Sequence, residues 1–392
     1  MMKNSDANMS TPFWRDNRVI PILFQLLFVA VLIGVMYYLI NNAINGLQAL
    51  GINLGFDFLQ NMASFNIGES IIEYQSTDTY MKAILVGILN TIKVSVIGIV
   101  FATIIGVIVG ISRLSSNWLV QKLATIYIEI FRNTPLLVQI LIWYFAVFLA
   151  LPDVKESVKI GPIFLSNRGA AIPWFHTATG STTWLILFLS GVLLAVIVWR
   201  YRLHIQVKSG KKQYPLLWGF LGLVFPLVLA WLLTQQAPIT IESPVLGNFN
   251  FEGGYIISEN FLAIFLALTI YTATYIAEIV RGGILSVSKG QMEASSALGL
   301  KYSTSMRFVV FPQAIRIIIP PVTSQYLNLT KNSSLAIAAG YPDLVYVAET
   351  INNQTGRAIQ SIVIMITVYL ILSIITSVFM NVFNNKVQIV ER

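Results

Sequence analysis

An all-α integral membrane protein with about eight transmembrane helices is the architecture this sequence predicts, on three observations. Only 11% of its 392 residues are charged while 56% are hydrophobic, and mean hydropathy is +0.73. An ordinary soluble domain carries about 25% charged residues. Apolar runs recur that approach or exceed the roughly 20 residues needed to span hydrocarbon. The charges between those runs alternate in sign from loop to loop, as the positive-inside rule requires of a chain that crosses repeatedly.

The runs, in order, are Val19–Ile40, Ala83–Ile111, Pro135–Leu151, Trp184–Trp199, Leu216–Leu233, Tyr255–Val280, Ala314–Ala338 and Ser361–Met380. The seventh is interrupted by Pro320, Pro321, Lys331 and Asn332. Such polar content suits a helix lining a cavity and not one facing lipid. Lys3, Arg15 and Arg18 precede the first run, and Asp57, Glu69, Glu73 and Asp78 follow it. Arg113, Lys122 and Arg132 follow the second, and Arg200, Arg202, Lys208, Lys211 and Lys212 follow the fourth with no acid among them. Glu242 and Glu252 come next, then a basic stretch with Arg281, Lys289, Lys301, Arg307 and Arg316. Eight spans with both termini in the cytoplasm satisfy this alternation. The first run lacks a small-residue cleavage site and is long enough to span, so it reads as an anchored helix.

Two parts look like additions to a five-helix core. One is 1–79, the N-terminus with its first helix and an acidic, extracytoplasmic loop. The other is 152–254, two further helices and a loop rich in Gly, Pro and aromatic residues, GPIFLSNRGAAIPWF. The core is then 80–151 plus 255–392.

Between two of the core runs lies 288–316, SKGQMEASSALGLKYSTSMRFVVFPQAIR, polar and full of helix punctuation. Ser288 with Gln291 reads as a capping box opening a short helix through Leu298. Gly299 stops that helix, because glycine reaches the left-handed region without a Cβ penalty. Ser303 is placed to cap a second short helix, and Pro312 marks a bend into the next run. The expected object is a helix-Gly-helix elbow outside the bilayer, on the basic, cytoplasmic side.

The order Glu293-Ala294-Ser295, Gly299, then Val309-x-Phe311-Pro312 resembles the EAA loop of ABC importer permeases. Ser295 stands where the family usually has a second Ala, and Val309 and Phe311 replace the usual Ile and Leu. Further motifs narrow the resemblance to permeases for polar amino acids: Glu129, Arg132-Asn133-Thr134-Pro135 and Gln139; Tyr275-Ile276-Ala277-Glu278 leading to Arg281-Gly282-Gly283-Ile284; and Asn328 through Ala336. With eight spans, the chain looks like the larger permeases of general or acidic L-amino-acid uptake systems. The motifs cover about half the chain; the added helices match by layout alone.

The resemblance implies a type I ABC importer transmembrane domain. Its EAA loop would dock on a cytoplasmic ATPase, with Glu293 capping or orienting the coupling helix and Gly299 permitting the turn. It also implies a second permease subunit (the long insertion favouring a heterodimer), two ATPase subunits and a periplasmic amino-acid-binding protein. No G-x-x-x-x-G-K-[ST] loop occurs, so ATP and Mg belong to a partner and this chain is a non-catalytic subunit with no cofactor of its own.

A zwitterion crossing a bilayer must exchange water for protein partners, since bare charge in hydrocarbon costs several kcal/mol. Thr134, Gln139, Asn328, Lys331, Asn332 and Ser333 are polar groups in otherwise apolar runs and are the candidates for that path. Each has a structural alternative: Lys331 snorkelling or pairing with Asp343, the others bonding between helices. Glu278 and Arg281, three apart on one helix, read as a structural ion pair. Asn133 or Thr134 would cap a helix with Pro135 at its first position. Trp143, Tyr144, Trp184, Trp199 and Trp231 read as interfacial belt residues.

Net charge +8 does not indicate nucleic acid, because the bases sit in loops between apolar runs and form no tract interleaved with aromatics. With no Cys and only His176 and His204, both read as loop residues, no metal cluster or Cys/His dyad is expected. An ion-coupled carrier would also explain polar groups in helices, but not the elbow. A membrane enzyme would need a convergent catalytic set, and none is visible.

Overall fold

The computed structural model describes residues 19–49, 55–247 and 250–387. The charges at Lys3, Arg15 and Arg18 lie outside these. The chain forms two compact units, Met1–Leu59 and Gln60–Arg392. The first contains α1 (Val19–Ala49), apolar on every face. The acidic stretch expected to accompany it belongs to the second unit instead. There Ala63 N donates to Asp78 O (2.7 Å) and Tyr80 N to Asn61 O (3.0 Å), folding the stretch back onto the next helix.

Seven helices are long and apolar enough to cross a membrane, or eight if one sharply bent pair is a single span. Within the second unit α2 (Tyr80–Ser112) and α7 (Glu259–Leu285) form the central pair. The reason is a stripe of small residues at four-residue spacing, Gly98, Ala102, Gly106 and Gly110, all buried. A Cβ on Gly106 would lie 2.6 Å from Ile276 Cβ, and one on Gly110 would lie 2.6 Å from the Ala277 carbonyl oxygen. Small residues allow this close backbone approach where lipid supplies no hydrophobic drive.

The bent pair is α3 (Trp118–Asn133) and α4 (Leu136–Leu141), which continues as a π-helical turn over Ile142–Phe148; the bend is 102°. Pro135 forces Thr134 out of the helical region, to φ −94°, ψ 127°. Neither Asn133 nor Thr134 caps α4, and Pro135 takes the N-cap position itself. Their side chains turn back onto α3: Asn133 Nδ2 donates to Glu129 Oε2 (3.0 Å), and Thr134 Oγ1 to Ile130 O (2.8 Å).

The inserted region is more structured than a loop with two helices. It contains β1 (Val158–Ile160), β2 (Ile163–Ser166), β3 (Gly169–Ile172) and β4 (Trp174–Thr177). After these come α5 (Ser181–Ser209) and α6 (Pro215–Thr234). Then follow β5 (Ile239–Glu242), β6 (Val245–Leu246), β7 (Phe251–Glu252) and β8 (Tyr255–Ile257). An antiparallel sheet runs β1-β2-β3-β8, with β4-β5 and β6-β7 as separate ribbons. His176 lies in β4 and His204 in α5, so neither is a loop residue. The α5–α6 hairpin packs chiefly on itself, Gly191 and Ala195 of α5 meeting Leu223, Pro226 and Gly222 of α6.

After α7 come α8 (Lys289–Ala297) and α9 (Tyr302–Ser305). A π turn, Met306–Val310, then leads into α10 (Phe311–Asn332) and a 3-10 turn, Ser333–Ala339. Helical structure is continuous over Tyr302–Ala339, so Pro312 marks no break. It sits in the first turn of α10, where a missing N–H costs nothing. The amphipathic α11 (Leu344–Thr355) and the apolar α12 (Ala358–Val387) complete the fold.

Candidate functional site

The elbow closes by a Schellman turn. Gly299 has φ +74°. Its N–H donates to Ser296 O (2.9 Å), and Leu300 N–H donates to Ser295 O (3.1 Å), which satisfies the last carbonyls of α8. The other end differs from the capping-box expectation. Ser288 is the N-cap but makes no side-chain cap bond, and Gln291 Oε1 instead accepts from Gln313 Nε2 (3.4 Å) on α10. Ser303 lies inside α9, whose N-cap is Lys301.

Glu293 and Ala294 are exposed in the middle of α8, so Glu293 caps nothing within this chain. Ser295 is turned inward and buried, its Oγ donating to Met292 O (2.8 Å). It seats the elbow on its own chain and presents nothing outward. Pro312 is half-buried behind the elbow. Large apolar side chains stand out at this end instead: Leu298 is 80% exposed, with Tyr302 and Phe308 also in the open. The sequence reading missed these three, although apolar residues inside a polar loop were a usable signal.

Glu278 joins the elbow end of α7 to α2. Arg281 Nη2 lies 3.0 Å from Glu278 Oε2, and Arg113, the C-cap of α2, meets Glu278 Oε1. The pair expected from sequence is therefore a cluster of two guanidiniums on one carboxylate.

The polar candidates separate into two groups. Gln139 is buried, and its Nε2 donates to Phe131 O (2.7 Å) and Thr134 O (3.0 Å), bracing the α3–α4 corner. Thr134 and Gln139 border a mainly apolar cavity of about 280 Å³ with Trp143. On α10, Ser324, Asn328 and Lys331 are exposed at positions i, i+4 and i+7, one line along the helix. Asn332 is half-buried, and Ser333 is buried with Oγ donating to Thr330 O (2.7 Å), so both leave that line. Lys331 does not pair with Asp343, which bonds elsewhere.

Asp343 is fully buried as the N-cap of α11. Its Oδ1 accepts from Tyr346 N (2.9 Å), and its Oδ2 accepts from Tyr369 Oη (3.2 Å) on α12. Burial pushes its carboxyl up to about 7, against the pull of those hydrogen bonds. At the opposite end of α7 from the elbow, Glu69 spans two elements, one oxygen on Lys93 of α2 and the other on Ser258 Oγ. Both acids had read only as loop charges.

Residues 214–389 match the family described as binding-protein-dependent transport system inner membrane component. The chain is 47% identical over 378 residues to the general L-amino acid transport system permease protein AapQ of Rhizobium johnstonii, covering 96% of this chain and 94% of that one. It is 44% identical to the putative amino-acid ABC transporter permease protein YhdX of Escherichia coli, over 94% of each chain. It is 36% identical to the glutamate/glutamine/aspartate/asparagine transport system permease protein BztB of Rhodobacter capsulatus, over 96% of each. An ion-coupled carrier is not favoured by these similarities.

Proposed function

We propose a mechanism for this chain from the premise that it belongs to the family of inner membrane components of binding-protein-dependent transport systems, as a multi-pass ABC permease subunit. The family implies ATPase and binding-protein partners. The substrates would be polar L-amino acids, as the names of the relatives at 36–47% identity suggest. Two ATPase subunits would hold ATP and Mg, a second permease subunit would pair with this one, and a periplasmic protein would deliver the amino acid. Both termini and the elbow would lie in the cytoplasm.

The elbow carries this reading. Its Schellman turn leaves Glu293, Leu298 and Tyr302 exposed on a short helix seated by Ser295. That is a small apolar face with one carboxylate, suited to a groove in a partner. ATPase closure would push α8, and the continuous Tyr302–Ala339 helix would carry the movement into the membrane. The line Ser324, Asn328, Lys331 would border the path, because polar groups in a span need water, substrate or protein and not lipid. Thr134 and Gln139 would shape the facing corner.

Gly299 provides the test. A Cβ there meets nothing within 4 Å, so substitution acts only through the backbone conformation. Gly299→Val, β-branched and strained at positive φ, should cut co-purification of the ATPase at least about tenfold, a change worth about 1.4 kcal/mol. Gly299→Asn, which tolerates the left-handed region, should retain it. Equal recovery with Val and wild type would remove the elbow from the ATPase contact.

A further inference from the structure

We propose that the cavity at the far end of α7 from the elbow is a receiving site for a free α-amino acid zwitterion. It has a volume of about 590 Å³, and its walls include Glu69, Arg168, Ser258, Glu259, Asn260 and Tyr346. These come from the acidic stretch, the β2–β3 turn, the start of α7 and the start of α11. The inference rests on the importer reading, which sets this end of α7, roughly 40 Å from the elbow at 1.5 Å per residue, on the side where substrate is delivered.

The walls are built and not merely adjacent. Arg168 follows a tight turn in which its N–H donates to Ser166 Oγ (3.2 Å), and Ser166 is completely buried. Gly169 then runs so close to α7 that a Cβ would lie 2.0 Å from Ile257 O and 2.7 Å from Glu259 N. The guanidinium-bearing turn is thereby fixed against the first residues of α7. Glu69 is spent on Lys93 and Ser258, which pins the acidic stretch to both central helices. Glu259, the first residue of α7, is half-buried, and Asn260 Oδ1 is a buried acceptor that receives no hydrogen bond. An unsatisfied buried acceptor costs about 1–3 kcal/mol, which a ligand donor would recover.

The chemistry selects the ligand. A guanidinium matches a carboxylate in a paired, planar contact. The Glu259 carboxylate matches an ammonium, and the Asn260 carbonyl a further N–H donor. One positive and one negative group with amide and hydroxyl neighbours, in a space larger than a single amino acid, fit a zwitterion with a polar side chain. They do not fit a simple anion or cation. The insertion thus gains a role, its sheet placing Arg168 over the mouth of the core.

The test uses the assembled transporter in lipid nanodiscs, without binding protein, and saturation-transfer NMR with L-glutamine and with its α-carboxamide. Wild type should bind glutamine at least tenfold more tightly than the carboxamide, which lacks the α-carboxylate. Arg168→Gln should abolish that preference while leaving carboxamide binding in place. Glu259→Gln should weaken both probes about tenfold. Wild-type assembly that transports amino acids yet shows no glutamine signal would overturn this site and leave the importer reading intact. Unchanged binding in both variants would do the same. If both variants bind glutamine normally but lose binding-protein docking by surface plasmon resonance, the cavity is a protein contact and the proposal fails.

Discussion

The α2–α7 pair and the α5–α6 hairpin solve the same packing problem in opposite settings. Both bring backbones together on small residues, yet in their most apolar stretches α7 is 61% buried and α5 only 6%. The central pair meets α3, α4, α10 and α11 as well, and Glu278 ties its elbow end with two arginines. The hairpin meets chiefly itself. Small residues therefore do not by themselves mark a core. What distinguishes the core is that its helices are stitched on several faces, including polar bonds at both ends, whereas the hairpin leaves its outer faces to the bilayer.

That contrast can be broken deliberately. Gly110→Val should be the most damaging change, because its side chain would enter the space of the Ala277 carbonyl and Val280. Overpacking of this kind costs about 3 kcal/mol, read as a lower thermal midpoint of the detergent-purified protein and less assembled complex. At the opposite end of the core, Asp343 should give a smaller, pH-dependent effect. Its folded carboxyl titrates near 7 against an ordinary 3.8, so the folded state binds the proton more tightly than the unfolded chain. The stabilisation is complete below about pH 4 and is lost as pH rises through about 7, by about 2 kcal/mol after allowing for its hydrogen bonds. Asp343→Asn, neutral throughout and still able to cap α11, should flatten the midpoint between pH 5 and 8. Gly222→Ala in the hairpin should matter least, since its Cβ would sit 3.2 Å from Ala195 Cα, and alanine returns helix propensity. A shift under about 1 kcal/mol is expected; a loss matching Gly110→Val would erase the distinction between core and hairpin.

The elbow was legible because its signals are local. Gly299 ends a helix wherever that helix sits, and its turn bonds involve only Ser295, Ser296, Gly299 and Leu300. The capping box failed for a non-local reason, Gln291 finding Gln313 on another helix. Spans were legible from apolarity, but the stripe from Gly98 to Gly110 was not singled out, since small residues are common in membrane helices. The β module hid for a topological reason. Its strands are two to four residues long, and β3 pairs with β8 across more than eighty residues, so no continuous alternating pattern announces it. Among the path candidates, chemistry was readable but direction was not. Asn328 and Ser333 look alike in sequence, yet one faces outward and the other bonds its own helix.

The unbroken helix behind the elbow also has a mechanical meaning. Tyr302–Ala339 is 38 residues long, roughly 57 Å at helical rise. A tilt of about 5° at its elbow end would sweep its far end through roughly 5 Å, the height of one helical turn. The lever arm therefore converts a small displacement at the ATPase face into a shutter-sized opening, with no hinge inside the helix.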